Sequence, residues 1–488
     1  MHRLLLVVVA VALALAGCGS STPAASSPDP IAGELSYFSA QSPFVMTLAT
    51  KPTAQAQAGT HALQSKFPFL ALARTAAIAR LEQLGIDYQR DIKPLLQNPI
   101  ALGAAGTSLS ASKTQFLFAW VTNNAGKLSA LISKLHGLRS AGTYDGAKLY
   151  QASSGAAALD GGTVLFARSL ADVTAGLDRH AHQQGISARR YAAATAGLDT
   201  SVTIKVFGDL TGVLSTAKTA TARRVPWVAA LRSYGASVSA GSGGVTVRFR
   251  LDTGGRPLTT AQLPIVAGDT SPSLVQGLPI QVGIRDPAQI AGFIASAEQL
   301  TSPQKYAKFV RQQATLRRKS GVDVSSLLSR LSGDLVIDSD TQQTLVRAGV
   351  GDHAAAASVL AKLASVPNGL GTKTPLKPIG GGVYSFSVSH REGLIGVVGN
   401  QLVVGVPPRG VHPTARALHL FAAAPGVPTA GARGAVSFRV QLPTLLALTL
   451  RQPVSPAVQQ LLALLGDVTG SMSAGPSALT GSATLALR

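Results

Sequence analysis

The pentapeptide Ser237-Val-Ser-Ala-Gly241 returns as Ser471-Met-Ser-Ala-Gly475, 234 residues further on. The same offset relates Val202-Thr-Ile-Lys-Val206 to Val436-Ser-Phe-Arg-Val440. Within each segment apolar and polar residues alternate, which is the pattern of a strand with one face buried and its basic residue in water. Closing strands follow in both places: Val245, Val247, Phe249 and Leu251 alternate with polar positions, and Leu479 to Leu487 do so more weakly. Upstream, Phe116–Leu135 aligns with Thr344–Leu363 at an offset of 228. Each begins as a strand, turns through Asn123-Asn124 or Gly351-Asp352, and continues as a helix. Leu128, Leu131, Ile132 and Leu135 have helical spacing, matched by Ala356, Val359, Leu360 and Leu363. Gly85-Ile-Asp87 echoes Gly321-Val-Asp323, each closing a long helix. Four echoes in the same order imply an internal duplication.

That duplication sets the expected organisation. A first repeat covers 31–252, a linker rich in Gly, Pro and Thr covers 253–273, and a second repeat covers 274–488. Clustered, alternating strands predict an α+β fold: two duplicated domains, each a mainly antiparallel sheet with helices on one face. The apolar stretch Leu442–Gly466 is interrupted by Arg451, Pro453 and Pro456, so it reads as two helices on a core, not a membrane span.

The first thirty residues are of another kind. Arg3 precedes an apolar block from Leu4 to Ala16, too short to cross a bilayer and shaped like a secretory signal. It ends in Leu15-Ala16-Gly17-Cys18, which holds the only cysteine of the 488 residues. This tetrapeptide resembles the lipobox of bacterial lipoproteins. The resemblance implies cleavage between Gly17 and Cys18, a signal peptide of residues 1–17, and acylation of Cys18 with diacylglyceryl and palmitate-type chains. A thiolate is the nucleophile such thioether formation requires, and two chains hold a protein stably where one is marginal. Residues 18–30 then form the lipidated end and a Ser/Pro/Ala tether. The expected location is the extracytoplasmic face of a cell membrane. ELSYFSA at 34–40, the Gly85-Ile-Asp87 step and FLFAWVTNNAGKLSALISKL from Phe116 also resemble an uncharacterised family of exported bacterial proteins with duplicated halves, a domain of unknown function. That likeness implies no activity.

Charge narrows the partners. Forty-three Lys and Arg against 22 Asp and Glu leave a formal +21, and +20 once Arg3 is removed. The cations are scattered, with doublets at Arg189-Arg190 and Arg223-Arg224 and one triplet, Arg317-Arg318-Lys319. With the cations scattered, no long basic run or aromatic-studded groove motif is read, so nucleic acid is not an expected partner of an exported protein. Anionic lipid or an acidic cell-wall polymer suits the charge, and a basic surface that only keeps the protein soluble suits it equally; a helix-covered sheet leaves room for a hydrophobic ligand.

Catalytic signatures are thin. The nine histidines include one close set, Asp178-Arg179-His180-Ala181-His182, after a helix expected over Leu170–Leu177; it lacks a third metal ligand. His353 and His390 are isolated. Asp338-Ser-Asp340 lacks the spaced acids of a calcium loop, and Asp87 and Asp323 suit helix caps. Ser-x-x-Lys occurs at Ser110–Lys113, Ser215–Lys218 and Ser302–Lys305 without the companion motifs of penicillin-binding enzymes. The segment from Gly369 to Lys373 lacks phosphate-loop spacing, Gly380-Gly381-Gly382 reads as a turn, and Trp120, Trp227, Tyr37 and Tyr384 fall on core patterns. No catalytic residue, cofactor or metal is therefore assigned. The expected function is a membrane-anchored, non-enzymatic binding or envelope scaffold protein. An envelope hydrolase or transferase with a dispersed site, and a binder of anionic lipid or wall polymer, are the alternatives.

Overall fold

The computed structural model describes residues 31–488 except 52, 97, 108–114, 136, 200–203, 255–257, 269, 276, 324–329, 367–375, 389–390, 413, 430–432 and 450–455. Gly17, Cys18, His390, Lys373 and the Ser110–Lys113 tetrad lie outside the described residues. The chain is α+β and divides into two compact units. One holds the residues up to Ala220 together with Leu231–Gly254; the other holds Thr221–Ala230 and Gly255–Arg488.

The strands of the first unit are β1 (Val45–Leu48), β2 (Ile100–Ala104), β3 (Phe116–Val121), β4 (Arg139–Tyr144), β5 (Ala147–Ala152), β6 (Gly155–Asp160), β7 (Thr163–Ala167), β8 (Ile204–Asp209), β9 (Ser233–Gly241) and β10 (Gly244–Asp252). Every pairing among them is antiparallel, in the order β4-β5-β6-β7-β3-β2-β1-β8-β9-β10. The middle of this sheet is apolar on both sides. Along β3, Leu117 and Ala119 join one core cluster with Leu35, Phe38, Val173 and Leu177, while Phe118 and Trp120 join another with Leu81, Ile92, Leu128 and Ile132.

Helices therefore cover both faces. Ile31–Leu35 and Leu170–Ala181 lie on one side, Pro68–Gln83 and Ala125–Lys134 on the other. This corrects the expectation of helices on one face. The expectation rested on alternating strands such as β10; β3 (FLFAWV), β6 (GAAALD) and β7 (TVLFA) do not alternate, and a strand apolar on both faces needs cover on both.

The second unit contains β11 (Leu274–Val275), β12 (Ile280–Arg285), β13 (Leu331–Ser339), β14 (Thr344–Val350), β15 (Lys377–Gly380), β16 (Val383–Val388), β17 (Arg391–Val398), β18 (Gln401–Val406), β19 (Gly426–Val427), β20 (Val436–Val440), β21 (Leu465–Ala474) and β22 (Ala478–Leu487). β11 and β19 form a small ribbon. The remaining ten pair antiparallel as β15-β16-β17-β18-β14-β13-β12-β20-β21-β22. Counted along the chain, this is the strand order of the first unit. Layering follows too: Ile395 and Val397 of β17 pack with Leu360 and Leu363 of the helix His353–Ala364, while Leu394 packs with Leu418 and Phe421 of the helix Ala415–Ala423.

Local chemistry places these helices alike in both units. Asn124 caps Ala125–Lys134 by accepting from the Lys127 N–H at 3.0 Å, and Asp352 caps His353–Ala364 by accepting from Ala355 at 2.9 Å. Between the first and second strands of each main sheet stands a helix pair broken before a proline. Ala54–Lys66 and Pro68–Gln83 meet at Phe67; Pro287–Thr301 and Pro303–Ser320 meet at Ser302. Proline restricts the residue before it away from helical backbone, which sets both breaks.

Candidate functional site

Two segments singled out in the sequence, some 140 residues apart, come together in the first unit. The helix expected over Leu170–Leu177 runs on to Ala181, so Arg179 and the exposed His180 sit in its last turn. The carboxyl-terminal end of this helix clasps the ELSYFSA segment. Arg179 Nε donates to the Tyr37 carbonyl at 2.8 Å, and the His180 ring stacks on Tyr37 with centroids 4.4 Å apart. Ile186 N–H donates to the Phe38 carbonyl at 3.1 Å, and Ser39 bridges to Gly185. Gly185 is required by this approach, because a Cβ there would lie 1.9 Å from the Ser36 carbonyl oxygen.

Ser36 and His180 form the one contact in the clasp that resembles a nucleophile and its base. Ser36 Oγ lies 2.6 Å from His180 Nδ1. The hydroxyl has a single proton, and Ser36 Oγ donates it to the Gly33 carbonyl, also at 2.6 Å. His180 Nδ1–H is then the donor to Ser36, and the imidazole cannot accept the serine proton through that nitrogen. Nucleophilic activation needs the opposite polarity. Beside it, burial pushes the Tyr37 hydroxyl up to about 12, so the phenol stays neutral. Tyr144 donates to Asp178 Oδ1 at 2.7 Å, a bond that raises the pKa of Tyr144. His182 uses its Nδ1 on the Asp178 carbonyl at 2.9 Å. The two imidazoles thus engage different partners, and no group of three metal-ligating side chains occurs among the described residues.

Other polar clusters also tie chain segments together. Asp209 is fully buried and pairs with Arg190, which donates through Nη1 to the Ala40 carbonyl at 2.7 Å. Asp87 accepts from Arg90 N–H at 2.9 Å as the cap of Tyr88–Ile92, and Asp323 meets Arg317 at 3.8 Å. Asp338 is no loop ligand: it sits on β13, 1 % exposed, and accepts from the Leu278 N–H at 2.8 Å. Desolvation pushes its carboxyl up to about 6. Gly380, Gly381 and Gly382 all have positive φ in the turn from β15 to β16, Ser302 is a helix cap, and Ser215 is exposed.

An apolar cavity of about 30 Å³ lies between the first unit's sheet and the helix Ala125–Lys134, lined by Phe118, Trp120, Leu131, Ile132 and Phe166 among others. Ligand pockets run to roughly 300–1,000 Å³, so this space is a packing gap. Trp120 is 4 % exposed, and its Nε1–H has no acceptor among the described residues.

Sequence reasoning missed what remains, the surface of the helix pairs. Of thirteen large apolar side chains exposed among the described residues, six lie there: Phe69, Leu72, Ile294, Leu300, Phe309 and Val310. The readable signal was Phe309-Val310 inside the basic stretch from Lys305 to Lys319. No helix among the described residues is long and apolar enough to cross a membrane.

No family model matches the chain, and neither does any curated protein. Among solved structures, crystal forms III, IV and I of a protein called TP0453 are similar to it at 11 %, 10 % and 12 % identity. They cover 46 %, 45 % and 46 % of this chain and 82 %, 80 % and 81 % of their own, each with a TM-score of 0.26. At that score the likeness carries no conclusion about fold or role.

Proposed function

We propose that the chain is an exported lipoprotein, held at the extracytoplasmic face of a membrane by a diacylated Cys18, and that its body acts by binding at the envelope surface, not by catalysis. The body is read as an internal duplication. Its support is the four sequence echoes together with the identical strand order and matching helix caps of the two units. The anchor rests on Leu15-Ala16-Gly17-Cys18.

One observation carries the binding reading: the use of charge. The acids and histidines described above are spent on caps and clasps, whereas 43 cations face only 22 acids, a formal excess of 21 positive charges. A surface of that kind attracts anionic lipid or acidic polymer. The anchor is tested by labelling cells with radioactive palmitate: the wild-type chain takes label and Cys18→Ser does not, while equal labelling removes the anchor. The binding reading is tested by sedimenting the mature chain from Gly19 onward with anionic vesicles over a range of salt. Binding that weakens as salt rises is expected.

A hydrolase or transferase reading would take Ser36 and His180, 2.6 Å apart, as its reacting pair. A fluorophosphonate probe that labels the wild-type chain and spares Ser36→Ala would establish it in place of the present reading.

A further inference from the structure

We infer that the helix Pro303–Ser320 is the element by which the body lies on an anionic bilayer. This deepens the surface-binding reading above and rests on it. The helix carries Lys305, Lys308, Arg311, Arg317, Arg318 and Lys319 and no acid, a formal charge of +6 over 18 residues. Tyr306, Phe309, Val310 and Leu316 recur at i, i+3, i+4 and i+10, which gathers them on one stripe. Leu316 packs against the unit's core, yet Phe309 stays 49 % exposed and Val310 43 %. The preceding helix adds Ile294 at 54 % and Leu300 at 38 %. Arg317 meets Asp323 at 3.8 Å; no ion pair joins Lys305, Lys308, Arg311 or Arg318 among the described residues.

An exposed Phe or Val standing singly needs no explanation. Here the exposure recurs at the equivalent element, since Pro68–Gln83 of the first unit leaves Phe69 54 % and Leu72 69 % exposed. The equivalent helix has Arg74, Arg80 and Glu82, a formal +1, so the two differ in charge and not in apolar exposure. Half-buried aromatic and aliphatic side chains among unpaired cations are what an interfacial helix needs. The apolar groups enter the headgroup–acyl boundary, and long Lys and Arg stems reach the phosphates. An acidic polymer would use the cations and leave Phe309 and Val310 in water. An anchor at Cys18 would keep a bilayer close to the body, since residues 19–30, at most about 45 Å of chain, separate it from Ile31.

The test uses the mature chain from Gly19 onward, with vesicles of phosphatidylcholine alone or containing one-third phosphatidylglycerol. Binding to the anionic vesicles only is expected. Lys305→Gln, Lys308→Gln and Arg311→Gln together should lower the partition coefficient about a hundredfold, near fivefold for each cation. Phe309→Ser with Val310→Ser should lower it about tenfold, and Phe69→Ser with Leu72→Ser should leave it unchanged. All these side chains are exposed, and circular dichroism checks that each variant folds. In a separate variant, Phe309→Trp, emission should be quenched by lipids brominated near the headgroup. Equal binding by every variant overturns the assignment to this helix while leaving the surface-binding reading intact. Loss in the charge variants alone, without quenching, also overturns it, as adsorption by charge. A wild-type chain that binds neither vesicle removes both.

Discussion

At the scale of the residue, Asp338 shows how a buried acid is held in a strand. Its carboxyl is 1 % exposed, accepts from the Leu278 N–H, and feels Asp340 nearby; burial is the largest effect and pushes it up to about 6 from the usual 3.8. The folded chain therefore keeps a proton that the unfolded chain releases two units lower. Stability from this group is greatest below pH 4, falls as pH rises to 6, and is level above that, a loss of about 3 kcal/mol. Asp338→Asn keeps an acceptor for Leu278 and removes the charge. Urea unfolding should show the variant more stable than wild type at pH 7, by up to that amount, with the difference vanishing near pH 4. A constant difference between pH 4 and 7 would mean that Asp338 ionises freely. The sequence placed this acid beside Asp340 but not inside a sheet, because its desolvation comes from neighbours distant in the chain. The Ser36–His180 contact was hidden for the same reason. Both segments were visible, and their meeting was not.

At the scale of the element, glycines separate a helix whose backbone meets the sheet directly from one that packs on it through larger side chains. Gly59 lies inside Ala54–Lys66, and a Cβ there would stand 1.8 Å from the Ala240 carbonyl oxygen of β9. Gly126 begins Ala125–Lys134, where a Cβ would meet nothing closer than 3.9 Å. Gly59→Ala must push the helix off backbone, an overpacking cost of about 1–3 kcal/mol against roughly 1 kcal/mol regained in helix propensity. A net loss is expected. Gly126→Ala should instead gain about 0.5 kcal/mol. Thermal melts of the two variants should move in opposite directions, and a shared direction would contradict the packing of the first helix on β9. Strand and helix positions of this kind were legible where apolar residues kept a single period, as in Val245–Leu251 or Leu128–Leu135. The two-sided burial of β3 was legible only as FLFAWV, a run without alternation that the expectation of one-sided cover passed over.

At the scale of the whole molecule, two independent forces are proposed to hold the chain at a membrane, and salt separates them. An acylated Cys18 would act through the hydrophobic effect, each buried methylene contributing about 0.8 kcal/mol, a term that salt does not weaken. The excess of cations acts through Coulomb attraction, which is screened as the Debye length shrinks from about 10 Å at 0.1 M to 3 Å at 1 M. Membranes prepared from cells making the wild-type chain should therefore keep it through a wash in 1 M salt. Membranes washed the same way after binding the mature chain from Gly19 onward should release it, with half-release well below 0.5 M. Lys305→Gln, Lys308→Gln and Arg311→Gln in that unacylated chain should shift release to lower salt, while in the acylated chain the same changes should leave retention untouched. Release of the wild-type chain by salt would show that no acyl anchor holds it, whatever its first eighteen residues resemble. Retention of the unacylated chain at 1 M would show that its body enters the bilayer more deeply than one interfacial helix allows.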